Sequence, residues 1–507
     1  MNINPLTAID FYKADHRSQY PEGTSEVYAN FTPRSNRLAR IVKQSNDGKV
    51  VVFGLQYLMK NFLQDAWNNE FFNKDKDTVV RAYKRRMDFS LGVDAIAIEH
   101  IEALHDLGYL PIKVKSLPEG ARVPIGVPVL TIVNTLPEFF WLTNYLESVI
   151  SAYLWKPMTT ATTAFEYKRL LTKYADVTGT DKEFVQFQAH DFSFRGMSNL
   201  QDSAVSGAAH LTSFWGTDTV PSIDMVEDYY GADVEKEPVG FSVYATEHSV
   251  MCMGEKENEI ATFRRLINDT YPSGIVSVVS DTWDFWKVVT EYVAVLKEEI
   301  LSRDGKLVIR PDSGDPIKII CGDKEAPVNS PEFKGAIECL WDIFGGTVTD
   351  KGYKLLDQHI GLIYGDSITL ERAQAILSGL KENGFASGNV VLGVGSYSYQ
   401  YATRDNHGFA MKATSGVVNG ERRNLFKDPK TDSGIKKSAK GLLRVEREDD
   451  KYVLYDQQSM EQEGQGELEI VFLNGKIMKE YTLNDIRQRL DNALSCYKNI
   501  EGDEIAA

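Results

Sequence analysis

Seven apolar, β-prone runs in this chain end in residues whose types can do chemistry. F-S-V-Y-A-T-E-H-S-V, Phe241 to Val250, delivers a carboxylate and an imidazole side by side at Glu247 and His248. V-Q-F-Q-A-H-D-F ends at His190 and Asp191, S-F-W-G-T-D-T at Asp218, and I-V-S-V-V-S-D at Asp281. K-L-V-I-R-P-D ends at Arg310 and Asp312, G-L-I-Y-G-D at Asp366, and N-V-V-L-G-V-G at Gly395. Taken as one site, these acids, the imidazole, the guanidiniums of Arg195 and Arg310 and the turns at Gly365–Asp366 and Gly393–Ser396 suit a magnesium–phosphate substrate. The metal takes oxygen ligands and water, while phosphates take helix N-termini and arginine forks. Each acid alone reads as a helix N-cap, and each G-x-G as an ordinary turn. The convergence of seven run ends is what carries the reading.

A lone histidine in an apolar strand is ordinarily a hydrogen-bonded structural residue. No H-x-H or H-E-x-x-H accompanies His248, so zinc is disfavoured. Acid–base work, phosphate contact and nucleophilic capture of a phosphoryl group remain open to it. In a strictly extended segment Glu247 would point to the opposite face.

Most of these runs lie about 30 residues apart, the length of a strand–helix unit, and chemistry at strand ends is the habit of a parallel barrel. The series runs from Phe184 to Tyr401, with helices expected after Asp281 and Asp366 and a helical insertion over 317–355. Upstream, Phe53 to Leu63 has helical periodicity, and two β-like runs lie between Pro111 and Thr135. An apolar helix from Pro137 to Leu154 should be broken by Pro157. Downstream, two hairpins are expected, the second turning at Asn474-Gly475, with a final helix over about Asn484 to Tyr497. The expected organisation is an N-terminal α+β segment 1–180, a barrel-like catalytic domain 181–404 and a β-rich segment 405–507 that packs with the first.

The chain's 507 residues can hold more than one domain, and its formal net charge of −16 argues against general binding to nucleic acid or membrane surfaces. Small anions need only a local basic cluster. The basic run at 420–444, which includes Lys427 and Lys436, reads equally as a solvated loop or as a reach over a polyphosphate. Four scattered cysteines read as reduced thiols, and no signal peptide or membrane-length apolar run is evident. A cytoplasmic enzyme is the expectation.

Several stretches resemble one family over nearly the whole chain, the nicotinate/nicotinamide phosphoribosyltransferases, and within it the branch that uses nicotinamide. They are D-F-Y-K-A-D-H-R-S-Q-Y-P at Asp10 to Pro21, H-D-F-S-F-R-G at His190 to Gly196, G-T-D-T-V at Gly216 to Val220, and E-H-S at Glu247 to Ser249. S-V-V-S-D at Ser277 to Asp281, I-R-P-D-S-G-D-P at Ile309 to Pro316, Y-G-D at Tyr364 to Asp366 and T-R-D at Thr403 to Asp405 complete the set. The resemblance implies an α/β fold of the type II phosphoribosyltransferase kind: an irregular (β/α) barrel with a discontinuous β-rich α+β domain from both chain ends. It implies a homodimer with active sites at the interface. It also implies formation of nicotinamide mononucleotide and pyrophosphate from nicotinamide and phosphoribosyl pyrophosphate with Mg²⁺, stimulated by ATP through a phosphohistidine at His248.

By the same resemblance, Phe192 and the Tyr12 of a second subunit sandwich the pyridine ring. Asp218 accepts from the carboxamide and Arg310 lies against the ring and reaches the phosphates. Asp312 holds ribose hydroxyls, while Gly365, Asp366, Gly395, Ser396 and Arg404 grip the phosphoribosyl part. Arg34, Arg195, His248, Lys412, Lys427 and Lys436 meet the pyrophosphate. Asp281 and Glu247 hold the water shell of Mg²⁺, and Glu247 joins His248 and Asp312 as a catalytic group. Two departures stand out. The family's G-S-G-G-G turn is here G-V-G-S-Y, Gly393 to Tyr397, and Ala410 stands where the family often has serine. The rival readings are nicotinate phosphoribosyltransferase, a non-catalytic nucleotide-binding protein on the same scaffold and, more distantly, a metal-dependent barrel hydrolase. Asp218 speaks against the first and the missing histidine ligands against the last.

Overall fold

The computed structural model describes residues 4–40, 47–427 and 439–501. Seven strands among them form one all-parallel sheet, in the spatial order Gly216–Thr217, Ala189–Asp191, Val390–Val394, Ile360–Tyr364, Asp304–Arg310, Ser273–Val279, Tyr244–Ala245. Their central positions are filled by Val276, Val278, Leu307, Ile309, Leu362 and Leu392, all fully or almost fully buried. This is the near-continuous apolar character of strands covered on both faces. The sheet curls until its two edge strands meet. Phe241, just ahead of Tyr244–Ala245, donates its N–H to the Trp215 carbonyl at 2.7 Å and accepts from the Thr217 N–H at 2.9 Å. The result is the irregular (β/α) barrel, and all seven chemistry-bearing run ends fall at the C-terminal ends of its strands.

A second sheet of seven strands is antiparallel throughout and draws on both ends of the chain. Thr24–Thr32 pairs on one side with Leu130–Asn134 and on the other with Ala410–Val418, and Ile112–Ser116 pairs with Glu469–Leu473. The Asn474-Gly475 turn has φ of 49° and 79°, the left-handed pair a type I′ hairpin requires. Both expected hairpins are present, Leu442–Glu448 with Lys451–Gln458 and Glu469–Leu473 with Lys476–Ile477, and the last helix spans Leu483–Glu501.

Three local expectations need correcting. Pro157 does not break a helix: it sits inside the 32-residue helix Glu147–Thr178. The ring is fully enclosed there, close enough to Gly54 that a Cβ on that glycine would lie 2.7 Å from it. Burial from neighbouring elements thus outweighs the one backbone hydrogen bond that proline removes. The stretch Pro111–Thr135 holds three short strands, since Arg122–Pro124 pairs with Lys49–Val51. The insertion after Asp312 is helical at Pro316–Cys321, Pro331–Lys334 and Ala336–Phe344, but it ends in a small hairpin, Gly346–Val348 with Lys354–Leu356.

Helix Glu147–Thr178 organises the molecule. Val149, Ile150, Leu154 and Met158 join the core beneath the antiparallel sheet, and Ala164, Tyr167, Leu171 and Ala175 join the barrel core. Ala161 and Phe165, between them, enter a third cluster closed by Leu483, Ile486 and Leu490 of the last helix. No helix among the described residues is long and apolar enough to cross a membrane. Cys252, Cys321 and Cys339 carry free thiols.

Candidate active site

Strand Ala189–Asp191 places His190 and then Phe192 at the barrel mouth. The His190 Nε2 lies 2.9 Å from Asp218 Oδ1, and the Ser242 hydroxyl donates to the same oxygen at 2.5 Å. Burial works to raise the Asp218 carboxyl. The hydrogen bonds from His190 and Ser242 and the charges of His190 and Arg310 outweigh it and hold the carboxyl below its ordinary value. Asp218 is therefore a carboxylate with one oxygen engaged and 40% of its side chain open to solvent, a geometry that can accept a hydrogen bond and repel an anion.

The Phe192 ring lies 4.8 Å from His190 and across two glycines. A Cβ at Gly365 would meet the ring at 3.0 Å and Asp312 Oδ1 at 3.3 Å, and a Cβ at Gly393 would lie 2.7 Å from Gly365 Cα, besides striking the ring. These glycines let an aromatic face lie flat over strands Ile360–Tyr364 and Val390–Val394, beside the Asp312 carboxylate. Gly393→Ala is therefore expected to push Phe192 out of place, destabilising the protein by about 1–3 kcal/mol as overpacking does. It should also raise KM for a planar substrate about tenfold, as thermal melts and steady-state kinetics would show.

Asp281 is the hub of the opposite wall. With only 6% of its side chain exposed, it accepts from His248 Nε2 at 3.2 Å, from the Asp312 backbone N–H at 3.0 Å and from the Ser313 hydroxyl at 2.6 Å. His248 is 48% exposed. Sequence placed Glu247 and His248 on a strand, yet the strand stops at Ala245 and His248 opens helix His248–Met253 with Glu247 at its N-cap. Tyr244 and Ala245 pair with Val276 and Ser277, after which the chain leaves the sheet. Glu247 accordingly turns to the Ser249 hydroxyl rather than to Asp281. Arg310 donates to the Thr246 carbonyl, and its Nε is buried without a partner. Burial and then the charges of Asp366, Asp281, Asp312 and Asp315 drive the Tyr364 phenol upward.

Those acids suit a divalent cation in one particular way. Among the described residues no three His, Cys, Asp or Glu side chains form a ligating cluster, so an all-protein cage is absent. Scattered carboxylates facing an open mouth fit Mg²⁺, which keeps waters and takes phosphate oxygens from its substrate.

Of the cations predicted for the pyrophosphate, Arg34, Lys412 and Lys427 gather elsewhere, on the antiparallel sheet and the loops beside it. Asn30 and Lys412 are register partners across strands Thr24–Thr32 and Ala410–Val418. Burial and then Arg404 lower the Arg34 guanidinium from its usual value; burial and then Arg34, Lys13 and Lys427 lower the Lys412 ammonium, against Glu147. Lys13, 3% exposed, is paired with Glu147. Mutually repelling cations held this close mark a place for a polyanion. Tyr12 lies beside them, 59% exposed, its ring 5.3 Å from His16 and 5.0 Å from the Lys13 ammonium. Arg195 is exposed on the turn after Phe192. Lys436 lies outside the described residues. Lys13, Ser242 and Ser313 escaped sequence reasoning, and His190 entered it only as a run end without an assigned role.

The altered glycine turn is accommodated locally. Ser396 begins the short helix Ser396–Tyr399 and its side chain fills the space over Gly196, where a Cβ would come within 2.5 Å of Ser396 Cβ. Tyr397 points out to stack on Tyr401, with centroids 5.4 Å apart.

A strand-end site on a parallel barrel, faced by acids and fed by a separate antiparallel sheet, is the architecture of the type II phosphoribosyltransferases. Two solved structures share the fold. A nicotinate-nucleotide pyrophosphorylase from Pyrococcus furiosus superposes with a TM-score of 0.58 over 96% of this chain and 95% of its own, at 14% identity. Human nicotinic acid phosphoribosyltransferase does so with a TM-score of 0.51 over 96% and 93%, at 15% identity. The family model for nicotinate phosphoribosyltransferase (NAPRTase) matches residues 187–476, and that for the nicotinamide phosphoribosyltransferase N-terminal domain matches 4–114. A nicotinamide phosphoribosyltransferase from Acinetobacter baylyi is 63% identical over 98% of this chain and 99% of its own, and one from Mycoplasma pneumoniae is 34% identical over 85% and 93%. The chain belongs to the nicotinate phosphoribosyltransferase family, and it is an enzyme of the phosphoribosyl-transferring class.

Proposed function

We propose that the protein is a nicotinamide phosphoribosyltransferase of NAD salvage, working in the cytoplasm as a homodimer and converting nicotinamide and phosphoribosyl pyrophosphate to nicotinamide mononucleotide and pyrophosphate. The observation that carries this reading is Asp218, an ionised carboxylate with a free oxygen beside the Phe192 face. It accepts from the carboxamide N–H₂ of nicotinamide and repels the carboxylate of nicotinate. The likeness to the Acinetobacter baylyi and Mycoplasma pneumoniae proteins supports the same substrate.

In this reading nicotinamide lies on Phe192 with Tyr12 of a second copy on its other face, and Arg310 spans ring and phosphate. The ring nitrogen attacks ribose C1 with its lone pair as the C1–O bond breaks and pyrophosphate leaves with that electron pair. The attacking nitrogen bears no proton, so the step needs no general base. Instead the ribosyl centre passes through an oxocarbenium-like state, which Asp312 and its neighbouring acids stabilise electrostatically. Gly365, Asp366, Gly395, Ser396 and Arg404 hold the phosphoribosyl group; Arg195, His248 and the Arg34–Lys412–Lys427 cluster, with Lys436, hold the pyrophosphate. Asp281 and Glu247 would hold Mg²⁺ through water, and the ion would supply charge neutralisation to the leaving group. Because the basic cluster and Tyr12 lie by a different sheet from the acids, a second copy completing the site accounts for both halves.

ATP enters through His248. Asp281 accepts from the Nε2–H tautomer, which leaves the Nδ1 lone pair to attack the terminal phosphorus. The P–N bond forms as the bridging P–O bond breaks, ADP leaves, and phosphohistidine charge near the substrate then favours capture and synthesis.

An assay supplying phosphoribosyl pyrophosphate and Mg²⁺ with nicotinamide or nicotinate, each with and without ATP, tests the whole reading. Mononucleotide from nicotinamide, boosted by ATP and not boosted in His248→Ala, is the expected result. Preferred turnover of nicotinate would transfer the protein to the sister activity, and ligand binding without turnover of either would make it a binding protein on this scaffold.

A further inference from the structure

The hydrogen bonds at Asp218 single out a residue with no role in the reading above. His190 Nε2 and the Ser242 hydroxyl both engage Oδ1, which fixes the carboxylate plane and reserves Oδ2 for the ligand. The imidazole is itself locked: its ring packs 4.8 Å from Phe192, and its Nδ1 lies so close to strand Gly216–Thr217 that a Cβ on Gly216 would sit 2.7 Å away. The side chain is only 11% exposed, so the imidazole has little freedom to leave this position. We infer that His190 is a positioning residue that sets amide-over-acid selectivity by holding the Asp218 carboxylate in place against the ligand.

With Oδ1 occupied by two donors, Oδ2 is the oxygen left to accept from a carboxamide N–H₂, and the same negative oxygen opposes a substrate carboxylate. Other charged or polar groups face this pair from several elements. Asp191 follows His190 on its own strand and is held by the Ser193 N–H; Arg310 reaches Asp218 from strand Asp304–Arg310. His210, from helix Leu200–Leu211, bonds Tyr399 and the Gly216 carbonyl and so steadies the strand that leads to Asp218. Arg310 attracts an anion, so the placement of the Asp218 oxygen decides whether an amide or an acid is taken.

The inference rests on the nicotinamide reading, and the experiment separates the two. The ratio of kcat/KM for nicotinamide to that for nicotinate is measured with phosphoribosyl pyrophosphate and Mg²⁺, in the intact protein and in His190→Gln and His190→Asn, with KM and kcat resolved for each substrate. His190→Gln, whose amide reaches Asp218 as Nε2 does, should keep the selectivity of the intact enzyme to within about threefold. His190→Asn, too short to reach, should raise KM for nicotinamide about tenfold with a smaller change in kcat, and lose about tenfold of the selectivity. Equal selectivity in all three proteins, or an equal loss in His190→Gln and His190→Asn, overturns the role of His190 while leaving the substrate assignment intact. Preference for nicotinate in all three proteins overturns the substrate assignment instead.

Discussion

Asp281→Ala is expected to lower kcat/KM for mononucleotide synthesis by about a thousandfold, roughly 4 kcal/mol of transition-state stabilisation. No other side chain in the site ties together so much. Its two oxygens fix the tautomer and orientation of His248, the backbone at Asp312 and the Ser313 hydroxyl at once. Hydrogen bonds to a charged group contribute about 1.5–3 kcal/mol each, and a buried N–H left without an acceptor costs a further 1–3 kcal/mol. Asp281→Asn keeps one acceptor oxygen for the Asp312 N–H but presents an N–H₂ to His248. It should therefore fall between, losing about ten- to a hundredfold, and should lose ATP stimulation as completely as the alanine variant. Steady-state kinetics with and without ATP would show this pattern. Activity within tenfold of the parent in Asp281→Ala would sink the idea that this carboxylate organises the wall.

Asp218→Asn should have the second-largest effect, and on selectivity more than on rate. The asparagine donates where the carboxylate accepted, so nicotinamide should lose about a hundredfold in kcat/KM while nicotinate becomes a measurable substrate. The sign of the pH effect follows from the depressed carboxyl. Its ionised form is present above the ordinary carboxylate range and is lost only as pH falls through the lower folded value. Nicotinamide turnover should therefore be insensitive to this group across neutral pH and fail only in acid, whereas the asparagine variant should show no such acid limb. An unchanged substrate ratio in Asp218→Asn would mean that the carboxamide is read elsewhere.

The barrel was legible in the sequence because each of its strands is a short apolar run stopped by a charged residue or a glycine, and that punctuation survives without tertiary information. The order of strands around the barrel and its closure through Phe241 were not legible, since they depend on pairings between runs far apart in sequence. The same limit explains the local misreading at Glu247 and His248. F-S-V-Y-A-T-E-H is apolar and β-prone throughout, but only Tyr244 and Ala245 find a partner strand, and the helix takes over where pairing ends. Pro157 misled for a related reason, because local propensity gave way to a site packed on all sides. In the candidate site, Phe192, Asp218, Asp281, Arg310, Asp312 and Asp366 lie where strand ends converge, whereas Tyr12, Arg34 and Lys412 lie by the antiparallel sheet. The partners that orient them, His190, Ser242 and Ser313, are polar residues of ordinary type, and their roles exist only once the loops are folded. The basic cluster was the hardest to foresee as a unit, for Lys13, Arg34, Arg404 and Lys412 are joined by the pairing of Thr24–Thr32 with Ala410–Val418 and by neighbouring loops.

The long helix through the molecule has a mechanical meaning. At about 1.5 Å per residue, its 32 residues form a rod of about 48 Å. Its first turn holds Glu147, the partner of Lys13 beside the cations, and further along it Ala164, Tyr167 and Leu171 are embedded in the barrel. A rod anchored in three cores resists bending at each of them. The basic cluster and the acid-lined mouth are therefore held at a fixed separation, like jaws on a common shaft. Opening and closing of the site is then left to the short loops, and not to a hinge within the chain.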